Sequence, residues 1–329
     1  MSVRDVLIVG AGPSGLATAI AAKQHQLDYV IVEKGVLVDA IFRFPAHMVF
    51  FTTPELLEIG GLPLTSPNDK PTRLEALRYY RRVVDAYGLQ ISFHETVTAI
   101  ERDGAIFDVT TADSRGVTRV RQTRAVVLAI GYYDNPNYLG VPGEDLPHVA
   151  HYYDDAHPHY RRRVVIVGGK NSAAEAALEL FRAGAHVTMV HRHPVLGESI
   201  KYWVKPDIEN RIKEGSIAAR FNTCVTEITQ THVAVTGPDG QRDQIPADAV
   251  YLLTGYHVDT DLLQRTGVRF DPVSLKPDYD PETFETNVGN VFIAGGAIAG
   301  KQTGTIFIEN GRFHGEKIIK VLADRLRAD

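Results

Sequence analysis

Two continuous apolar runs predict the frame of the chain. The first, residues 5–9, enters a glycine-rich turn followed by an alanine-rich segment that predicts a helix packed closely on the strand. The second, residues 163–167, enters a similar turn and alanine-rich segment. Each pattern ends on a further segment typical of a strand, at residues 28–33 and 186–190. The strand-turn-helix-strand pattern occurs twice. It predicts an α/β chain with two Rossmann-like dinucleotide-binding domains.

The first turn carries the glycine spacing of a dinucleotide fingerprint. Gly10 suits the sharp turn, Gly12 lets the backbone approach a pyrophosphate, and Gly15 lets the helix lie tightly on the strand. The free N–H groups of the helix N-terminus then suit phosphate. The next strand ends on Glu33, at the distance expected for a carboxylate that binds ribose hydroxyls. The fingerprint alone leaves FAD and NAD open.

The second turn departs from the first in two ways. Lys170 replaces the middle glycine of Gly168-Gly169-Lys170-Asn171-Ser172, so the backbone approach is looser or the lysine itself faces phosphate. The following strand ends on His191-Arg192-His193 instead of an acid. A cation there suits a 2′-phosphate, which Glu33 would repel. The second half of the chain is therefore predicted to bind NADP in preference to NAD.

Other patterns predict how the domains connect. A helix is expected over residues 72–87, strands at 90–93, 96–102, 106–110, 118–123 and 125–130, and a hairpin around 237–240. Strands end on glycine at Gly131 and again at Gly255. This symmetry indicates insertion, with one domain formed by 1–133 and 256–329 and the other by 134–255. A strand at 290–294 and a helix start within 304–312 close the first domain.

Composition narrows the class of protein. The 329 residues carry a net charge of −5, which argues against a general nucleic-acid or anionic-membrane binder. No apolar stretch is long enough to span a bilayer, and we expect no signal peptide, hence a cytoplasmic location. The single cysteine, Cys224, excludes an intrachain disulfide and is expected to be a small buried apolar residue. The thirteen histidines show no metal-binding spacing.

The chain resembles the thioredoxin reductase type of two-dinucleotide-domain flavoprotein, and more closely the YpdA family of bacillithiol disulfide reductases. Essentially the whole chain takes part in the resemblance. It is carried by residues 10–15, 44–47, 129–133, 168–173 and, most specifically, 305–315.

The resemblance implies FAD in the first domain and NADPH in the second. The FAD-lining residues it implies are Gly10, Gly12, Pro13, Ser14, Gly15, Glu33, Lys34, Val97, Gly131, Gly295, Gly296, Thr305 and Ile306. The NADPH-binding residues are Gly168, Gly169, Lys170, Asn171, Ser172, His191 and Arg192. The aspartate usual after the last strand of such flavoproteins is absent, since Gly296 stands there.

The implied activity is hydride transfer from NADPH to FAD and then to a low-molecular-weight disulfide. Ser14, however, occupies the position of the family's cysteine, and a hydroxyl cannot form a mixed disulfide. Ser14 and His47, in an aromatic stretch expected to wall the flavin pocket, are the candidate catalytic residues. The alternatives are a ferredoxin- or flavodoxin-NADP reductase and a flavin redox sensor without turnover. Partners are a small-molecule disulfide or a small redox protein, and we expect a homo-oligomer.

Overall fold

The computed structural model describes residues 3–328 and divides into two compact units. One unit runs as far as Asn135 and resumes at Tyr256, while the other is the intervening segment Pro136–Gly255. The second unit is therefore inserted into the first along the chain. Within the described residues no helix is long and apolar enough to cross a membrane.

The first unit begins with a strand, helix and strand in close succession. Its first elements are β1 Arg4–Val9, α1 Pro13–Gln24, β2 Tyr29–Val32, α2 Asp39–Phe42, α3 Pro54–Leu57, α4 Arg73–Tyr87, β3 Ile91–Ser92, β4 Glu95–Asp103, β5 Ile106–Asp113 and β6 Thr118–Leu128. The predicted helix over 72–87 is confirmed as α4. The Thr72 hydroxyl accepts from the Glu75 amide at 3.3 Å, the Glu75 carboxylate accepts from the Thr72 amide at 2.7 Å, and left-handed Gly88 ends the helix.

The predicted strands 118–123 and 125–130 are in fact one strand, β6, and that prediction was wrong. Exposed Arg124 interrupts the apolar pattern, and the pattern also changes because β6 serves two pairings. Its beginning is antiparallel to β5, whereas its end runs parallel to β1. A strand that passes from a half-exposed ribbon into a buried parallel sheet shows alternating polarity first and a continuous apolar run afterwards.

The second unit holds a parallel sheet and a separate antiparallel ribbon. Its elements are β7 Val149–Ala150, β8 Arg163–Val167, α5 Asn171–Arg182, β9 His186–Val190, α6 Lys205–Lys213, β10 Ala218–Arg220, β11 Cys224–Ile228, β12 His232–Thr236, β13 Arg242–Pro246 and β14 Ala249–Leu252. The sheet order is β10-β9-β8-β14-β7, and the ribbon order is β11-β12-β13. The predicted hairpin is confirmed, with Thr236 opposite Arg242.

Cys224 is exposed, so its prediction as a buried apolar residue was wrong. It begins β11, an outer strand of the three-stranded ribbon, opposite Thr236. An antiparallel ribbon can leave one face to solvent, which accords with the exposure of Cys224.

The first unit ends with α7 Thr260–Arg265, β15 Val291–Ile293, α8 Ile308–Gly311 and α9 His314–Ala328. Strand β15 pairs in parallel with the buried end of β6, and the sheet order is otherwise β3-β2-β1-β6-β5-β4. The apolar residues of β1, β2 and β15 are almost wholly buried. These parallel strands therefore present their carboxyl ends together, the edge at which open α/β sheets bind ligands.

Candidate nucleotide-binding sites

The first fingerprint forms a tight connection between β1 and α1. Gly12 is the residue before the helix, and Pro13 begins it. A Cβ at Gly15 would lie only 2.0 Å from the Gly10 carbonyl oxygen, so the helix approaches the turn as closely as backbone permits. A Cβ at Gly12, by contrast, would meet nothing within 4 Å. The outer side of the turn is thus open backbone at a helix N-terminus, which suits a pyrophosphate.

Glu33 lies at the carboxyl end of β2 and faces this turn. Its carboxylate accepts a hydrogen bond from the Ala11 amide at 2.7 Å and another from the Gly35 amide at 2.7 Å. The side chain is buried, and burial raises the pKa of Glu33 although the two backbone donors act in the opposite direction. A carboxylate has about four acceptor positions, so two remain for ribose hydroxyls. The open turn and this acid fit the adenosine diphosphate part of a dinucleotide.

Two further predicted residues, Gly295 and Gly296, follow β15 and lie close to Ser14 of the fingerprint and to Tyr132, respectively. Gly295 has φ +68°, and a Cβ on it would lie 2.4 Å from the Ser14 hydroxyl oxygen. A Cβ on Gly296 would lie 2.7 Å from the ring of Tyr132, which follows left-handed Gly131. The structure therefore brings Ser14, Gly131, Gly295 and Gly296 to one edge of the sheet.

Tyr132 lies within the segment 129–133 that carries the resemblance, but it was not predicted as a site residue. Its hydroxyl donates to the Thr303 carbonyl at 3.3 Å, and burial raises its pKa to about 12. It therefore stays neutral at physiological pH. The sequence signal was its place directly after a strand that ends on glycine.

Three other predicted residues of the first unit, Val97, Lys34 and His47, differ in burial and in their contacts. Val97 is buried in β4. Lys34 is half exposed and forms an ion pair with Asp134 at 2.8 Å. His47 is exposed, in the segment between α2 and α3. The roles predicted for Val97, Lys34 and His47 stay predictions.

Thr305 and Ile306 precede α8, which is only four residues long. The Thr305 hydroxyl donates to the Gln302 carbonyl at 2.9 Å, and the Asn310 side chain accepts from the Phe307 amide at 2.8 Å. The expected helix start within 304–312 is therefore one short turn followed by the longer α9.

The second fingerprint has the same plan between β8 and α5. A Cβ on Gly168 would lie 2.5 Å from the Leu253 carbonyl oxygen, and one on Gly169 would lie 2.5 Å from the His191 ring. Lys170, before the helix, is exposed, as is Ser172. Asn171 is engaged within the unit, because its side chain accepts from the Lys201 amide at 3.1 Å and donates to Glu175 at 2.5 Å. The lysine thus stands where phosphate would approach the helix N-terminus.

The end of β9 is cationic. Arg192 is exposed, and its Nε lies 3.3 Å from the His193 Nε2. The His191 ring lies 5.1 Å from that of His193, and burial, with the nearby His193, Arg192 and Lys170, lowers its pKa. His191 is therefore a neutral ring at physiological pH, and Arg192 and Lys170 supply the positive charge of this edge.

Comparison with known proteins gives concordant matches. The family model of the pyridine nucleotide-disulphide oxidoreductases matches residues 7–295. The bacilliredoxin reductase Bdr of Bacillus subtilis (strain 168) is 41% identical over 326 residues, which cover 99% of this chain and 99% of that protein. The structure of the bacillithiol disulfide reductase Bdr (YpdA) from Bacillus cereus superposes with a TM-score of 0.96 at 42% identity, covering 98% of this chain and 100% of that one.

The fold is also shared at lower identity. The thioredoxin reductase of T. acidophilum matches with a TM-score of 0.77 at 22% identity, over 98% of this chain and 99% of that one. The predicted α/β, thioredoxin reductase-like architecture and the resemblance read from the motifs are both confirmed.

Proposed function

Because the chain belongs to the pyridine nucleotide-disulphide oxidoreductase family, we propose that it transfers reducing equivalents from NADPH, by way of FAD, to a small disulfide such as bacillithiol disulfide. Enzymes of this family are flavin-dependent oxidoreductases that use FAD and a nicotinamide dinucleotide. The choice of NADPH and of the disulfide is the proposal. The names of the similar proteins, a bacilliredoxin reductase and a bacillithiol disulfide reductase, support an acceptor of this redox chemistry.

The observation that carries the cofactor assignment is the difference between the ends of β2 and β9. Glu33 is a buried acid at the first, where it suits the ribose of FAD and would repel a 2′-phosphate. Arg192 is an exposed cation at the second, where it suits the 2′-phosphate of NADPH. We therefore assign FAD to the first unit and NADPH to the second, with Lys170 as a further phosphate ligand.

The chain's own residues supply binding and orientation. The open N-terminus of α1 offers N–H groups to the pyrophosphate, and Gly12 leaves room for it. Glu33 accepts from the ribose with the positions its backbone donors leave free. Bound FAD supplies two-electron transfer between a nicotinamide and the acceptor.

In this proposal, disulfide reduction needs no protein thiol. The single cysteine, Cys224, begins an outer strand of the ribbon in the second unit, and Ser14 stands in the first fingerprint. In the overall reaction NADPH and a proton are consumed, the S–S bond of the acceptor breaks, and two thiols and NADP⁺ form. We infer that the two electrons reach the acceptor without a mixed disulfide on the enzyme.

The test is anaerobic turnover by a thiol-free protein. The change Cys224→Ser removes the only thiol of the chain. We expect NADPH to bleach the flavin of both proteins, and bacillithiol disulfide to restore its absorbance at equal rates, with two thiols formed per NADPH. Failure of the disulfide to reoxidise wild-type flavin contradicts the proposal. A loss of reoxidation in the variant alone contradicts the thiol-free route.

The same thiol count favours a second candidate, a ferredoxin- or flavodoxin-NADP reductase, whose chemistry uses no cysteine. Rapid reoxidation of the flavin by ferredoxin, combined with none by disulfides, would select this function. Reduction by NADPH with neither acceptor active would instead favour the redox sensor. A cytoplasmic location and a homo-oligomeric state stay predictions.

A further inference from the structure

The start of α9 holds a buried histidine, which lies within the segment 305–315 and was not predicted as a site residue. His314 is 8% exposed, and its Nδ1 accepts a hydrogen bond from the Gly295 amide at 3.1 Å, with both atoms buried. Gly295 follows β15 at the edge of the sheet where Ser14 and Gly296 also lie. The histidine therefore bonds directly to a segment placed beside the first fingerprint.

The ring of His314 is held from a second side. It stacks on Phe284 with the ring centroids 4.3 Å apart and the planes 23° apart. Burial, and to a lesser extent the charge of Lys317, lowers the pKa of His314 to about 4. The ring is thus neutral at physiological pH, and since Nδ1 accepts, the proton of the neutral ring lies on Nε2.

The position of Gly295 is sterically demanding. Its φ of +68° is left-handed, and its Cα is so close to Ser14 that a Cβ would lie 2.4 Å from the hydroxyl oxygen. A Cβ on Gly311, at the end of α8, would lie 3.1 Å from the same oxygen. Leaving the buried N–H of Gly295 without an acceptor would be destabilising, so the bond to His314 favours this orientation of the Gly295 peptide.

We propose that His314 is a positioning residue for the FAD site: its neutral Nδ1 fixes the Gly295 amide, and so sets the Gly295-Gly296 turn against the first turn of α1. The inference rests on the proposed binding of FAD to the first unit. By accepting from the Gly295 N–H, the imidazole keeps that donor within the protein and adds no charge beside the cofactor. His314 touches neither cofactor nor substrate in this role, and acts through Gly295.

The experiment separates the acceptor from the ring. His314→Phe keeps an aromatic ring against Phe284 and removes the acceptor, whereas His314→Asn places an amide oxygen at about the position of Nδ1. His314→Gln carries its oxygen one bond further away and is the matched control. Each apoprotein is titrated with FAD by fluorescence, far below its melting temperature, and the midpoint potential of the bound flavin is measured.

We expect His314→Phe and His314→Gln to weaken FAD binding about tenfold, the value of one unsatisfied buried donor, and His314→Asn to return to within about threefold of wild type. The potential should shift in the first two variants and return in the third. A purely structural role would lower the melting temperature of all three and leave both readouts of the folded protein unchanged.

Equal FAD affinity in His314→Phe and wild type overturns the inference. Equal affinity of His314→Asn and His314→Gln does the same, and this comparison holds even if the phenylalanine variant does not fold. Wild-type protein that binds FAD but reduces no disulfide contradicts the proposed function and leaves the inference standing. Wild-type protein that binds no FAD contradicts both.

Discussion

Replacing Gly12 with alanine should weaken FAD binding without harming the apoprotein. Gly12 has φ −75° and ψ 175°, an extended conformation that any residue adopts. A Cβ there would meet no protein atom within 4 Å. A glycine-to-alanine change at a compatible position raises the free energy of unfolding by about 0.4–1 kcal/mol. The apoprotein of Gly12→Ala should therefore melt at or slightly above the wild-type temperature.

The cost appears only when the cofactor binds. The new methyl group would occupy the open side of the turn, where the proposed pyrophosphate approaches the backbone. Inserting a methyl group into a close-packed contact costs about 1–3 kcal/mol, or roughly 5- to 150-fold in the dissociation constant of FAD. Titration of the apoprotein with FAD, followed by flavin fluorescence, measures this change.

Gly15→Ala is the matched control, because the same methyl group there meets protein. Its Cβ would lie 2.0 Å from the Gly10 carbonyl oxygen, so α1 must move by about 1 Å or more from the turn. This variant should lose about 1–3 kcal/mol of apoprotein stability as well as FAD affinity. The reasoning is refuted if Gly12→Ala binds FAD as wild type does, or if its apoprotein is destabilised as much as that of Gly15→Ala.

Two further predictions concern coenzyme choice and pH. Arg192→Ala should raise the KM for NADPH roughly tenfold or more and leave that for NADH within about twofold, since a charge-assisted hydrogen bond contributes about 1.5–3 kcal/mol. Lys213 is another exposed cation of the same unit, and Lys213→Ala should change neither KM. An equal rise in the KM for NADPH and for NADH in Arg192→Ala would contradict the 2′-phosphate role. A histidine whose pKa falls to about 4 on folding lends stability above its unfolded pKa, and that stability is lost as the pH drops through about 6.5 towards 4. Between about pH 6.5 and 4, urea titrations should therefore show that the His314→Asn apoprotein loses up to about 3 kcal/mol less free energy of unfolding than the wild-type apoprotein. Equal losses in the two proteins would contradict the lowered pKa of His314.

The chain order of the fold could be predicted because local patterns carry it. Apolar runs and glycines predict both strand-turn-helix units. The capping residues and Gly88 predict the bounds of α4. The single strand β6 was missed because an exposed arginine lies where its two pairings meet. The exposure of Cys224 was missed because position in a ribbon depends on which strands lie outermost, and one strand's sequence does not contain that information.

Some residues of the candidate sites could also be predicted from the sequence, and others could not. Glu33 and Arg192 end predicted strands, so their places at the sheet edge followed from topology alone. The contacts of Gly295 with His314 and Ser14, and of Gly296 with Tyr132, join segments distant in the chain. No periodicity reports such pairings, and only the packed structure supplies them.

The different burial of Glu33 and Arg192 accords with different lifetimes for the two proposed cofactors. Glu33 is 6% exposed, and burial raises its pKa even though the Ala11 and Gly35 amides donate to it, so the ionised acid still lacks part of the solvation that water would give. Ribose hydroxyls are such donors, so FAD binding would offset the cost of keeping this charge out of water. Arg192 is exposed and pays no comparable cost when its site is empty. A buried acid therefore suits a cofactor that stays, and an exposed cation suits a coenzyme that must leave after each turnover.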